Sequence, residues 1–284
     1  MQKCITGVFL FFLTQYNVHS QVWTQPEKGY YAQASFSTAT FENAYDSTGA
    51  SISLFPFQVE DLNIQLYGNY GVTEKLTTVL KIPYAVQKSI YVDSLNLSSD
   101  SLLQYREANI SYFGNIEAGV IYKIRDKYPI VSASFFLESN TNDRNYAAGL
   151  ASGFNAWSFK PGIGAAGVYK KMFYSAYTNL DIKTNQYSSG LIGMLEFGYT
   201  PAEIFFISGA ISSRTSFQNS NYCPCNLTNT GIYINNQEYV SVSIKPGFYF
   251  NGAGLNFGYT TALTAKNTPA AGIFTVGFSY KKTN

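Results

Sequence analysis

Histidine is almost absent from this chain of 284 residues, in which His19 is the only one. Histidine is the usual base of serine-triad hydrolases because its pKa lies near the working pH, and it is also a common zinc ligand. The sequence therefore excludes serine-triad chemistry in its usual form and any metal site built on histidine. We predict a protein without enzymatic activity, with no catalytic residues, no bound metal and no cofactor.

Charged residues are also scarce. They make up 13% of the chain, whereas soluble domains average about 25%. The formal net charge is only +2, so the chain lacks the basic balance of a nucleic-acid-binding protein, and we expect no such partner. Aromatic residues are abundant instead, at 17%, with 24 Tyr and 22 Phe. Tyrosine is typical of the aromatic girdles of a membrane barrel, where the ring lies among the headgroups and its hydroxyl contacts water.

No apolar run is long enough to span a bilayer as a helix, which takes about 20 residues. The apolar segment 5–13 follows a lysine and precedes small residues up to Ser20. This order is typical of a secretory signal peptide. We predict a signal peptide over 1–20, cleaved near Ser20, and a single mature domain over 21–284 that begins with a short segment, 21–28. The only histidine belongs to the predicted signal peptide.

The last segment of the chain alternates between two kinds of side chain. Large apolar residues occupy one set of positions and small or polar residues the other: Phe274, Val276, Phe278 and Tyr280 against Thr275, Gly277 and Ser279. Such alternation predicts a β-strand with one apolar face. The pattern recurs along almost the whole chain, and no helical period follows the first twenty residues. The apolar face must pack on a second sheet, as in a secreted β-sandwich, or contact lipid.

Breaks in the alternation divide the chain into about twelve strands. We place them near residues 29–41, 59–70, 76–84, 108–124, 129–139, 153–169, 171–184, 188–200, 203–217, 237–250, 253–264 and 270–282. Their connections alternate between tight turns and long polar loops, which is typical of outer-membrane barrels and not of a sandwich. We therefore predict an all-β fold, an antiparallel up-and-down transmembrane β-barrel of about twelve strands. Gly114-Asn115 in the fourth strand is either a turn or a bulge.

Charged side chains fall mostly on the inner phase of these strands. A charge that faces lipid at the bilayer midplane costs about 2–4 kcal/mol, so this placement supports the assignment of faces. The candidate lumen-lining residues are Lys81, Glu117, Lys160, Glu196 and Lys245. Glu117 and Glu196 could serve a hydrolase as a carboxylate pair. The plainer interpretation is that they form ion pairs with the lumen lysines.

Two further elements have a structural and a functional interpretation. Cys223 and Cys225 flank a proline in a long loop of an exported chain, so we predict a small strained disulfide. The alternative is a redox-active pair. Segment 21–28 either folds into the lumen as a plug or anchors the chain at the membrane interface through Trp23, and we favour the anchor.

Three short motifs resemble a known family. They are WTQPEKG at 23–29, YGVTEKLT at 70–77 and GNIEAG at 114–119. They are similar to segments of small bacterial outer-membrane barrels associated with meta-pathway phenol degradation and related to fatty-acid-transporter-type porins. Asn115 stands where that family usually has an acid. The signal peptide also resembles those of Bacteroidota-type bacteria.

The resemblance and the strand pattern together predict the location and the function. We expect the chain in the outer membrane of a Gram-negative bacterium, in contact with lipid, as a porin-like or transporter-like barrel. It would pass or bind small solute molecules, hydrophobic or aromatic ones included. The alternative is a structural or scaffold barrel whose lumen is filled by side chains and whose long loops bind a surface protein partner.

Overall fold

The computed structural model describes residues 22–54, 57–91, 108–202, 204–222 and 230–282. The predicted signal peptide and the predicted disulfide between Cys223 and Cys225 lie outside these residues. No helix in the described ranges is long and apolar enough to cross a membrane.

Twelve strands of the described chain form one closed sheet. In chain order they are β1 (Tyr30–Phe41), β2 (Phe57–Gly71), β3 (Leu76–Tyr91), β4 (Ala108–Phe113 and Glu117–Arg125), β5 (Ile130–Glu138), β6 (Ser158–Tyr169), β7 (Met172–Lys183), β8 (Gly190–Ala202), β9 (Phe205–Ser216), β10 (Glu238–Phe250), β11 (Ala253–Lys266) and β12 (Ile273–Lys282).

Each strand pairs antiparallel with its neighbours in the chain, and β12 pairs with β1 to close the sheet. In the closing pair Tyr30 lies opposite Lys282 and Ala34 lies opposite Phe278. Closure pairs the first and last strands along the body of the barrel, which is how a β-sheet satisfies its backbone polar groups inside a bilayer. The predicted up-and-down barrel of about twelve strands is confirmed.

The alternation of side chains separates an outer face from an inner face. On β12, Phe274 and Phe278 are 61% and 54% exposed, whereas Ser279 between the outward positions is 8% exposed. Phe250 on β10 also faces outwards and is 72% exposed. A contiguous apolar outer surface of this kind suits lipid rather than water.

The fourth strand is interrupted, whereas the sequence predicts one continuous strand over 108–124. Residues 114–116 break it into two segments, and the segment Ala108–Phe113 pairs only with β3 in the described part of the chain. Strand β6 also differs from its prediction: it begins at Ser158 instead of 153, because residues 153–157 belong to the loop after β5. We call residues 139–157 the cap loop.

The barrel has a short-turn end and a long-loop end. Beyond the long-loop end Asn43–Tyr45, Ser51–Ser53 and Thr268–Pro269 form a small three-stranded sheet. Apolar side chains from strands and loops also form a buried cluster there: Phe41, Ala44, Leu54, Val59, Ile110, Leu150, Ala151, Ile232 and Ile234. The cap loop and the segment 230–237 both contribute to this cluster. The long-loop end therefore has a packed core of its own.

Candidate functional site in the barrel lumen

Lys160 is the centre of a buried ion-pair group on one wall of the lumen. Its ammonium Nζ lies 2.7 Å from Glu117 Oε2 and also contacts Glu138 Oε2. All three side chains are at most 13% exposed. Strands β4, β5 and β6 are adjacent in the sheet, and this adjacency brings the three groups together. Two buried carboxylates thus share one cation.

A second ion-pair group lies on β7 and β9. Asp181 Oδ2 lies 2.7 Å from Arg214 Nη2 and 3.3 Å from Lys183 Nζ, and the Asp181 side chain is fully buried. Here one carboxylate faces two cations. Arg214 occupies an inward-facing position of its strand, but it is not among the candidate lumen residues predicted from the sequence. Strand β8 lies between β7 and β9 in the sheet, so the contact between Arg214 and Asp181 depends on the sheet order and not on their positions in the sequence.

The remaining predicted lumen residues have looser partners. Lys245 Nζ lies 3.9 Å from Glu196 Oε1, and the Glu196 side chain is almost fully buried while that of Lys245 is 26% exposed. Lys81 lies opposite Glu117 in the ladder between β3 and β4. All five predicted lumen residues take inward positions on their strands. Glu117 contacts Lys160 and lies opposite Lys81, whereas Glu196 and Lys245 lie apart from them.

A cavity of about 370 Å³ lies between these charges and the opposite wall. Side chains of β1, β2, β3, β10, β11 and β12 form most of its surface, together with Glu117 and Tyr177. The lining is polar: it contains four amides, Gln33, Asn63, Gln65 and Asn256, as well as several hydroxyls. Lys81, Glu117 and Lys245 are its charged residues.

The segment after the predicted cleavage site enters the lumen from the short-turn end. Val22 is fully buried, and its carbonyl oxygen accepts a hydrogen bond of 2.8 Å from Ser132 Oγ on the inner face of β5. The amide of Gln25 donates to Thr77 Oγ1 at 2.8 Å. Gly71 is required at the rim, because a Cβ at that position would lie 1.9 Å from the carbonyl oxygen of Pro26.

The path of this segment bears on the anchor that we predict at Trp23. Its neighbours Val22 and Gln25 contact inward-facing strand residues, and the Trp23 indole Nε1 is buried without a hydrogen-bond partner among the described residues. The Trp23 residue as a whole is partly exposed, so its role as an interfacial anchor stays a prediction. The inward path of Val22 and Gln25 depends on contacts with strands far away in the chain, and no local pattern encodes it.

Asn115 holds the cap loop inside the other end of the barrel. Its side-chain amide donates to the carbonyl oxygens of Ser139 at 2.6 Å and Phe154 at 2.8 Å. An ionised acid accepts hydrogen bonds but cannot donate them, so the departure from the family motif at this position has a physical role. The cap loop also forms a hydrogen bond with β3, in which Ala151 N donates to Gln87 Oε1 at 3.1 Å.

Phe154 connects the cap loop to the second ion-pair group. Lys183 Nζ lies 3.9 Å from the centre of its ring, within the range of a cation–π contact. The rings of Tyr187 and Tyr233 pack edge-on against Phe154, with centroids 5.5 and 5.1 Å away. Burial raises the pKa of both tyrosines, so they remain neutral. The cap loop is thus held by polar, cationic and aromatic contacts.

Comparisons with known proteins match the fold and no sequence family. Neither a protein-family model nor a curated protein sequence matches the chain. The structure is similar to an outer-membrane channel from Pseudomonas putida F1, with 14% identity and a TM-score of 0.68 over 94% of this chain and 100% of that chain. The translocator domain of the autotransporter NalP from Neisseria meningitidis has 9% identity and a TM-score of 0.49 over 89% of this chain and 88% of its own. At these identities the likeness concerns the fold alone, and at that level the resemblance to small outer-membrane barrels is confirmed.

Proposed function

We propose that this chain is an outer-membrane barrel that passes or binds small molecules and performs no covalent chemistry. The observation that carries the proposal is the cavity of about 370 Å³ inside a closed barrel. Pockets for small molecules have volumes of roughly 300–1,000 Å³. The protein from P. putida with a similar fold is an outer-membrane channel, which agrees with this function.

The outer surface supports the proposed location. Large apolar side chains face outwards on strand after strand, with Phe197 on β8 60% exposed and Leu263 on β11 63% exposed. Such a surface is stable in lipid and would aggregate in water. In barrels of this class the short turns face the periplasm and the long loops face outside. The cap loop would then lie on the extracellular side.

The placement of the carboxylates supports a role without catalysis. Glu117 contacts the ammonium of Lys160, and Glu196 lies near that of Lys245. A general acid or base needs a position where it can exchange a proton with a substrate, whereas the Glu117 carboxylate is occupied by the Lys160 ammonium and the Glu196 side chain is almost fully buried beside Lys245. Both residues therefore act as structural or selectivity charges in the lumen.

A scaffold barrel is the second candidate, because both ends of the lumen contain polypeptide. Val22 is buried inside the short-turn end, and Leu150 of the cap loop is buried inside the long-loop end. In this role the lumen would only stabilise the barrel, and the long loops would bind a surface protein.

Liposome swelling separates the two candidates. The full chain, folded into liposomes, should admit small solutes and produce swelling above that of empty liposomes and of liposomes with an unrelated closed barrel. A scaffold barrel would produce none, and it would also bind no small solute in calorimetry.

A further inference from the structure

The lumen cavity presents hydrogen-bond donors and acceptors that the protein does not use itself. The side-chain amides of Asn63, Gln65 and Asn256 line the cavity, and none of the three bonds to another residue in the described ranges. Each amide carries both a donor and an acceptor. An alcohol group also carries both, so a ligand with several hydroxyls would satisfy them. A hydrocarbon would leave them unpaired, at a cost in binding free energy.

The cavity lining contains two lysines, Lys81 and Lys245, and one acid, Glu117. No carboxylate of the described chain lies within 4.0 Å of the Lys81 ammonium, and that of Lys245 has only Glu196 at 3.9 Å. The one acid in the lining, Glu117, contacts the ammonium of Lys160, which it shares with Glu138, so Lys81 and Lys245 are the two ammonium groups that the lining offers to a ligand. Ammonium groups without close partners in a low-dielectric lumen attract anions.

From these two observations we propose that the cavity binds one small hydroxylated carboxylate, of the chemical class of sugar acids. The carboxylate contacts the lysine ammonium groups of Lys81 and Lys245, and the hydroxyls contact the amides. This inference rests on the proposed function, since it names the solute class that the lumen accepts. This solute class differs from the hydrophobic or aromatic solutes that the family resemblance implies.

The test uses gluconate as the probe, with sorbitol as its neutral polyol counterpart and toluene as an apolar solute. Calorimetry with the folded full chain in detergent measures binding of all three solutes, and liposome swelling measures passage of gluconate and sorbitol, because toluene crosses a bilayer without a channel. Gluconate should bind in preference to sorbitol and toluene, and it should pass in preference to sorbitol. Lys81→Gln and Lys245→Gln should each weaken gluconate binding roughly tenfold, because each removes a charged hydrogen bond.

Two further variants control for indirect effects. Lys81→Arg keeps the positive charge and should retain most of the affinity. Lys123→Gln changes another lysine on the inner phase that does not line the cavity, and it should leave the affinity unchanged. Heat-modifiable migration in gels shows that each variant is folded.

The outcomes separate this inference from the proposed function. Binding of toluene, or binding or passage of sorbitol, with no binding of gluconate would overturn the inference and leave the proposed function standing. Equal losses in Lys123→Gln and Lys81→Gln would also overturn it, since the effect would not depend on the cavity. A barrel that neither binds nor passes any of the three solutes would contradict the proposed function itself.

Discussion

At the residue scale, the lumen depends on charges that stabilise one another only as complete groups. Lys160 is shared by Glu117 and Glu138, and Asp181 is shared by Lys183 and Arg214. Removal of one member leaves an uncompensated charge away from water, which costs more than the pair contributes when it is intact. The consequence is that conservative-looking substitutions in the lumen have large effects on stability.

We predict that Lys160→Met lowers the free energy of unfolding by roughly 3–5 kcal/mol, because two carboxylates then lie together without a cation. Urea titration of the barrel folded into lipid vesicles measures the loss. Lys266→Met is the matched control, since Lys266 is 44% exposed and pairs with Glu238 at the rim. Its loss should stay within about 1 kcal/mol. Similar losses in the two variants would refute the role of the buried group.

Asn115→Asp tests how the cap loop is held. The new carboxylate would face the carbonyl oxygens of Ser139 and Phe154 without a proton to donate, at a cost of about 1–3 kcal/mol. We expect the cap loop to detach and the barrel conductance in planar bilayers to rise. Asn109→Asp, at an exposed position of the strand segment that precedes Asn115, should change neither quantity. An unchanged conductance in Asn115→Asp would mean that the cap loop is held by other contacts.

At the element scale, the sequence predicts strands better than it predicts the path of loops. Alternation is local, with a period of two residues, so twelve strands and their two faces follow from the printed sequence. The cap loop, the break at 114–116 and the inward path of Val22 are set by contacts between residues far apart in the chain, such as Ser132 with Val22. The one local signal of the cap-loop contacts is Asn115, where an amide that can donate hydrogen bonds stands in place of the usual acid of the motif.

The two faces of β12 give a prediction that concerns the whole strand. Val276 lies opposite Phe36 and Phe257 on the outer face, whereas Thr275 lines the cavity. Val276→Arg should prevent assembly, because a cation at mid-bilayer costs about 2–4 kcal/mol. Thr275→Arg should assemble, since its side chain meets a polar lumen. Heat-modifiable migration of membrane fractions measures assembly, and equal tolerance of both variants would contradict the membrane orientation.

At the scale of the whole molecule, the barrel combines an apolar exterior with a polar interior that is narrowed at both ends. The segment around Val22 occupies the short-turn end, and the cap loop occupies the long-loop end. The charges of the cavity lie between these two constrictions. A solute or ion that enters must therefore pass the lysines, and charged groups in a narrow aqueous passage determine ion selectivity.

Single-channel recording in planar bilayers tests the central claim, that the lumen accepts small solutes, most directly. We predict small, discrete conductance steps for the folded full chain. In a salt gradient, Lys245→Glu should move the reversal potential towards cation selectivity, because a positive charge of the cavity becomes negative. The absence of conductance steps in the wild-type chain, together with a Lys245→Glu variant that only loses stability, would contradict the claim and favour the scaffold barrel.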